Sequence, residues 1–285
     1  MPFAFSRCRL CAGLTAFALL ASALPVAASE RVVVVGGALA ETVYALGQEH
    51  RLVGRDTTAS HPPQVLDLPD VGYMRALSAE GLLRLAPDLI LADEGAGPPE
   101  TIALLRAAEV PFVSISEGYT TEDVLTRVAQ VSAALDVEAR GAVMVEELRT
   151  RFAEVEAARA GIEHPLRVMF ILSAQGGRIN AAGAGTAAAG IMALAGAENA
   201  VQGFQGYRLL GDEAITAAAP DAILMMDRDG DHAITDAQIL AHPALGIAPA
   251  AQAGRIIRMN GLLLLGFGPR TPDAALALHR ALYGS

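Results

Sequence analysis

Two side chains with ligand chemistry stand two residues apart in "GYMRALSAEG", residues 72–81: the phenol of Tyr73 and the guanidinium of Arg75. On the residues alone, Tyr73 reads equally as a ligand and as a half-buried tyrosine that plugs a loop. A solvated surface cation competes in the same way for Arg75. Other chemistries find less support. "VVVVGGALAETVYALG" follows a strand as a dinucleotide site would, but Gly36-Gly37-Ala38 breaks the G-x-G spacing, and "GAGTAAAG" (183–190) lacks the Gly-Lys-Ser/Thr of a phosphate loop. "DRDGDHAITDAQ" opens like a calcium loop, yet His232 stands where the turn glycine belongs and Gln238 where the bidentate glutamate belongs. The histidines are scattered and form no Cys/His cluster, and no nucleophile elbow is present, so the pattern favours binding over catalysis.

The elements that must carry these residues alternate. "RVVVVGG" is a β-branched run closed by glycines, and "ALAETVYALG" comes next with helical spacing. The alternation continues through "RLVGRD", "LSAEGLLRLA", "PDLILAD", "PPETIALLRAAE" and "VPFVSIS" without hairpin signals, which predicts a parallel, doubly wound sheet. From Thr120 to Ala160 two amphipathic helices are expected, broken near Asp136, the second a stiff connector. The alternation then restarts at "LRVMFILS". The chain also contains an echo: "YMRALSAEGLLRLAPDLIL" (73–91) aligns with "YRLLGDEAITAAAPDAIL" (207–224), pairing Tyr73 with Tyr207, Glu80 with Glu213 and Pro87-Asp88 with Pro220-Asp221. The expected fold is α/β: two Rossmann-like lobes with parallel sheets, residues 29–135 and 164–285, joined by a long helix within 136–163. A ligand cleft lies between them, with binding groups at the carboxyl ends of strands.

Residues 1–28 read as a secretory signal: Arg7 and Arg9, an apolar run from Leu10 to Leu24, Pro25, then Val26-Ala27-Ala28. Arg9 and Leu10 before Cys11 argue against lipidation. Cys8 and Cys11 both fall in that segment, so the exported chain of about 257 residues has no disulfide and must be held by burial. Loss of the two arginines takes the formal charge from -10 to about -12, a poor balance for nucleic acid or an anionic membrane surface.

Three stretches, "VGYMRALSAEG" (71–81), "AAGAGTAAAGIMALAGAENAV" (181–201) and "RIIRMNGLLLLGFGPRTPDA" (255–274), give the chain a recognisable pattern. It resembles, over nearly all of the expected mature chain, the periplasmic haem-binding proteins of bacterial haem-uptake ABC transporters, a branch of the helical-backbone substrate-binding proteins that also serve siderophores and cobalamin. The resemblance implies a periplasmic, non-enzymatic, monomeric carrier of ferric haem b that hands its cargo to an inner-membrane ABC permease dimer with its ATPase. A siderophore or cobalamin carrier is the alternative.

It further implies that Tyr73 is the axial ligand of the haem iron. A phenolate is a hard anion suited to Fe(III), and with a free pKa of about 10 it needs help from the metal and a nearby cation, a role open to Arg75. Tyr207 is a candidate to stack on the porphyrin, Arg228 to meet a propionate, and His232 to be a second iron ligand, although a single tyrosine on five-coordinate iron is the expected arrangement. His242 and His279 read as structural. Glu80 and Glu213 are implied to dock arginines of the permease, one per lobe. An acid in a first helical turn also stabilises its helix by roughly 0.3–1 kcal/mol.

Overall fold

A computed structural model describes Met1 and residues 30–175, 178–227 and 234–284. In chain order the elements of the N-terminal half are β1 (Val32–Val35), α1 (Gly37–Ala45), β2 (Leu52–Arg55), α2 (Ala79–Leu83), β3 (Leu89–Asp93), α3 (Pro99–Ala107) and β4 (Phe112–Ile115). Two helices come next, α4 (Thr121–Ala134) and α5 (Glu138–Arg159). The C-terminal half then runs β5 (Arg167–Gln175), β6 (Arg178–Ala182), α6 (Ala187–Leu194), β7 (Glu198–Asn199), β8 (Tyr207–Leu210), α7 (Asp212–Ala218), β9 (Ala222–Asp227), α8 (Asp236–Ala241), α9 (Pro249–Gln252), β10 (Ile256–Asn260), α10 (Gly261–Leu265) and α11 (Thr271–Tyr283).

The first sheet is parallel throughout, in the order β2-β1-β3-β4. Its central strand is Val32 to Val35, buried at every position, as an unbroken β-branched run must be when helices cover both faces. The second sheet runs β10-β9-β5-β6-β8, with β7 beside β5. Strands β10, β9 and β5 are parallel, but β5 with β6 and β6 with β8 pair antiparallel. The C-terminal sheet is therefore mixed, and the parallel expectation holds only for its core. The signal was present: Gly176-Gly177 separates two strand-like runs, a pair suited to a hairpin.

The echo in sequence is an echo in structure. Ala86 and Ala219 both take left-handed backbone (φ 44° and 36°), ending a short helix just before Pro-Asp. Asp88 then accepts hydrogen bonds from the amides of Glu30 and Arg31 at 2.9 and 3.1 Å, and Asp221 accepts one from Arg167 at 2.9 Å. In return the Asp88 and Asp221 amides donate to the carbonyls of Arg31 and Arg167. Each half thus uses its aspartate to fix where its central strand begins.

The halves are joined by two helices rather than by α5 alone. Helix α4 is opened by a reciprocal Thr120–Asp123 capping box, and Asp136 (φ 56°) turns the chain into α5. Gly141 lets the two helices meet: a Cβ there would stand 2.0 Å from Ser132 Oγ. The core contacts of α4 are divided. Val131 and Leu135 pack with β1 and β3 of the first half, whereas Val124, Leu125 and Val128 pack with β5, α6 and α11 of the second. Burying each such side chain is worth roughly 1.5–3 kcal/mol, so α4 ties both cores together.

Candidate functional site

A cleft of 510 Å³ opens where the two halves face each other. The loop carrying Tyr73 and Arg75 forms its rim, and the loop's conformation is dictated by which side chains can be buried. Met74 and Leu77 turn inward, 8% and 5% exposed, into the core beneath β1 and β3. Arg75 and Ala76 between them, and Tyr73 just before Met74, then face out, and Tyr73 is 48% exposed. Backbone bonds pin the turn: Ala76 to Tyr73 O at 2.8 Å, Thr57 to Gly72 O at 3.0 Å, and reciprocal contacts of Met74 and Leu77 with Gly97 at 2.9 Å. Asp70 holds the Gly72 amide at 2.8 Å. Backbone bonds on either side of Tyr73 therefore fix where its ring is presented to the cleft.

Tyr73, Arg75 and Tyr207 all line the cleft. Among the described residues Arg75 has no hydrogen-bond or ion-pair partner, and the expected donation from Arg75 to the Tyr73 phenol is not present as a direct bond. Its charge reaches the other two phenols of the cleft instead, acting to lower the pKa of both Tyr119 and Tyr207. Burial outweighs it, so both hydroxyls titrate above the ordinary tyrosine value. Tyr207 begins β8 opposite Ala182 and sets its ring 6.4 Å from Phe170, edge to face. It is thus partly packed and partly open, at 39% exposed.

The walls differ. Thr58, Ser60, Asp93, Glu117, Tyr119 and Arg127 make the N-terminal side polar, while Leu172, Ala187, Met226, Leu262 and Leu265 make the C-terminal side apolar. Asp93 is the last residue of β3, at the carboxyl end of a parallel strand where ligand groups are expected. It is 7% exposed, its Oδ1 lies 3.6 Å from Arg127, and that oxygen has no hydrogen-bond partner among the described residues. Burial raises its pKa to about 6; Arg127 opposes the rise, and Glu117 and Asp56 add to it. Asp56, wholly buried, accepts from the Gly36 amide and from Thr58, and burial raises its pKa as well. These carboxylates and Arg127 escaped the sequence reading, although an acid closing the apolar "LILAD" strand was the available sign. Within "GLLLLGFG", Gly261–Leu265 is helix α10, and Leu262 and Leu265 line the cleft.

Arg228 and His232 lie outside the described residues. His279 is buried with Nδ1 3.1 Å from Ala195 O, and His242 Nδ1 accepts from the Ala244 and Leu245 amides at 3.3 Å. Among the described residues no group of three or more His, Cys, Asp or Glu is placed to hold a metal ion. Glu80 and Glu213 are the second residues of α2 and α7, one in each half. No helix of the described residues is long and apolar enough to cross a membrane.

Comparison with known proteins agrees with this architecture. The periplasmic heme-binding protein BhuT, solved in complex with two hemes, is 43% identical, with a TM-score of 0.84 over 88% of this chain and 97% of that one. RhuT, a periplasmic heme-binding protein from Roseiflexus sp. RS-1 solved in apo form, is 35% identical, with a TM-score of 0.85 over 90% and 98%. Among curated sequences, a vitamin B12-binding protein of Vibrio cholerae is 27% identical over 155 residues, 54% of each chain. The chain spans less than two thirds of the length of the curated relatives it matches. The family model for periplasmic binding proteins matches residues 32–261. The chain belongs to the periplasmic binding protein family.

Proposed function

We propose that this protein captures ferric haem b in the cleft between its lobes, 29–135 and 164–285, and delivers it to an inner-membrane ABC permease dimer. The observation that carries the reading is the rim loop: an open phenol, Tyr73, held on a pinned turn beside the cation Arg75, facing an apolar wall fit for a porphyrin face. Tyr73 is the axial iron ligand, its phenolate a hard anion suited to Fe(III). Because Arg75 makes no direct bond to Tyr73, it acts through its field or on a propionate. Tyr207 flanks the porphyrin from the other lobe, and Arg228 and His232 stand next in sequence after β9 as candidates for a propionate and a second iron position. The similarity to two heme-binding proteins over nearly their whole length supports the same cargo.

Glu80 and Glu213, matched in the two halves, serve as the two docking points for permease subunits. Residues 1–28 direct export to the periplasm, without lipidation, and the carrier acts as a monomer with no catalytic step. Absorption titration with ferric haem, with cyanocobalamin and a ferric hydroxamate siderophore in parallel, tests the cargo. Saturable Soret changes with haem alone are expected. Binding of cobalamin or siderophore in place of haem would transfer the protein to the alternative cargo class.

A further inference from the structure

The closing motif contains a segment, Gly266–Arg270, whose interactions face the opposite lobe more than the cleft. The carbonyls of Gly266 and Phe267 accept from Arg127 Nη1 at 2.9 and 3.4 Å. Arg127, 3% exposed on α4, also donates to Ser116 O at 3.3 Å and faces Asp93 at 3.6 Å. In the reverse direction Arg270 forms a two-pronged ion pair with Glu41 of α1, a carboxylate only 6% exposed, with Nε to Oε2 at 3.1 Å. Between the two grips Phe267 takes left-handed backbone (φ 53°), is 2% exposed, and sets its ring 5.2 Å from that of Tyr119, edge to face. Gly266, the first residue of this segment, and Leu265, the last of α10 just before it, line the cleft.

We propose that Gly266–Arg270 is an inter-lobe clamp, gripped by Arg127 and Glu41, that positions the apolar cleft wall and so sets how long cargo stays bound. The proposal rests on the cargo-binding reading and assigns Arg127, Glu41 and Arg270 as positioning residues. A buried arginine held by three carbonyls and one carboxylate has fixed geometry, and the wall it holds cannot shift without breaking several bonds together. Asp93 governs one grip. The charged and titratable groups facing it are Arg127 on α4, Glu117 and Tyr119 in the β4–α4 connection, and Asp56 after β2. With its pKa near 6, Asp93 sheds its charge in mildly acidic solution, and Arg127 then keeps its carbonyls but loses its ionic anchor. The grip on the wall weakens as pH falls through that value.

Ferric haem dissociation into excess apomyoglobin, followed from pH 5 to 8 for the natural chain, Arg127→Lys, Arg270→Gln and Asp93→Asn, tests this. Arg127→Lys and Arg270→Gln should speed release at pH 7.5 by about five-fold or more, since such contacts act mainly on the off-rate, with the bound-haem spectrum of Arg270→Gln, which lies outside the cleft lining, unchanged. The natural chain should show a step in release rate near pH 6 that Asp93→Asn removes. Unchanged release in both arginine variants, or the same step surviving in Asp93→Asn, overturns the clamp. If the natural chain binds no haem, the cargo reading fails, and amide hydrogen exchange in the cargo-free protein decides the clamp. Arg270→Gln and the milder Glu41→Gln should then raise exchange in residues 36–42 and 266–271 together, whereas exchange matching the natural chain in both segments contradicts it.

Discussion

The two tyrosines that open the repeated segments stand in equivalent places and are used differently. Tyr73 sits on a turn held by backbone bonds to residues on either side, with its ring in the open. Tyr207 is the first residue of a strand, paired with Ala182 and leaning on Phe170. Beyond each tyrosine the chain takes nearly the same course: a short helix with a glutamate at its second position, a left-handed alanine, then Pro-Asp clipping the start of a central strand. The same local scaffold therefore occurs once in each half, and the tyrosine that opens it is packed differently in the two. The walls show the same division, with charge and hydrogen-bonding groups on the N-terminal side and aliphatic side chains on the other. A flat amphiphilic ligand needs both.

The comparison can be broken at several points. If the glutamates of the two halves dock equivalent permease subunits, Glu80→Ala and Glu213→Ala should each lower uptake in a reconstituted transporter by a similar factor. The double variant should fall by about ten-fold or more, with haem binding by the isolated protein intact. Unequal single effects would show that the halves dock differently. Within the N-terminal half, Gly36 has φ 132° and a Cβ there would come 2.1 Å from Asp93 Oδ2, so Gly36→Ala should cost roughly 2–4 kcal/mol in denaturant unfolding.

Asp93 gives a third test, with a definite sign. Its pKa of about 6 lies above the ordinary 3.8, so the folded state holds the proton more tightly than the unfolded chain. The stability this contributes is present below pH 3.8 and is lost as pH rises through about 6. The stability difference between the natural chain and Asp93→Asn should therefore drift by about 3 kcal/mol against the natural chain between about pH 3 and pH 8. A difference constant with pH would remove Asp93 as a perturbed carboxylate. The smallest effect concerns the repeated clips: Asp88→Ala and Asp221→Ala should each cost about 1 kcal/mol, with Asp88 the larger because it accepts from two amides.

Much of this architecture was legible in the chain. The all-valine run reads directly as a strand buried on both faces, and the break at Asp136 and the Pro-Asp echo are visible in "AALDVEAR" and the two aligned segments. Three features were hidden for physical reasons. The antiparallel edge of the second sheet depended on one Gly-Gly pair among 28 glycines, whose meaning is set by its neighbours. The "GLLLL" run has no periodicity to separate strand from helix, and only the Asn260 side chain accepting from the Leu263 amide at 3.0 Å marks its helical start. Arg127 and Arg270 looked like ordinary charges on helical and loop segments. Their partners, Gly266 O and Glu41, lie 139 and 229 residues away, and no local pattern carries that information.

The most direct test of the central claim sets the two tyrosines against each other. Ferric haem is titrated into the natural chain, Tyr73→Phe and Tyr207→Phe, with absorption spectra and affinities recorded side by side. A tyrosinate-type high-spin spectrum that persists in Tyr207→Phe but is lost in Tyr73→Phe, with affinity lowered by about 100-fold or more, is the expected result. Haem bound equally well and with the same spectrum by Tyr73→Phe would contradict the account and place the iron ligand elsewhere in the cleft.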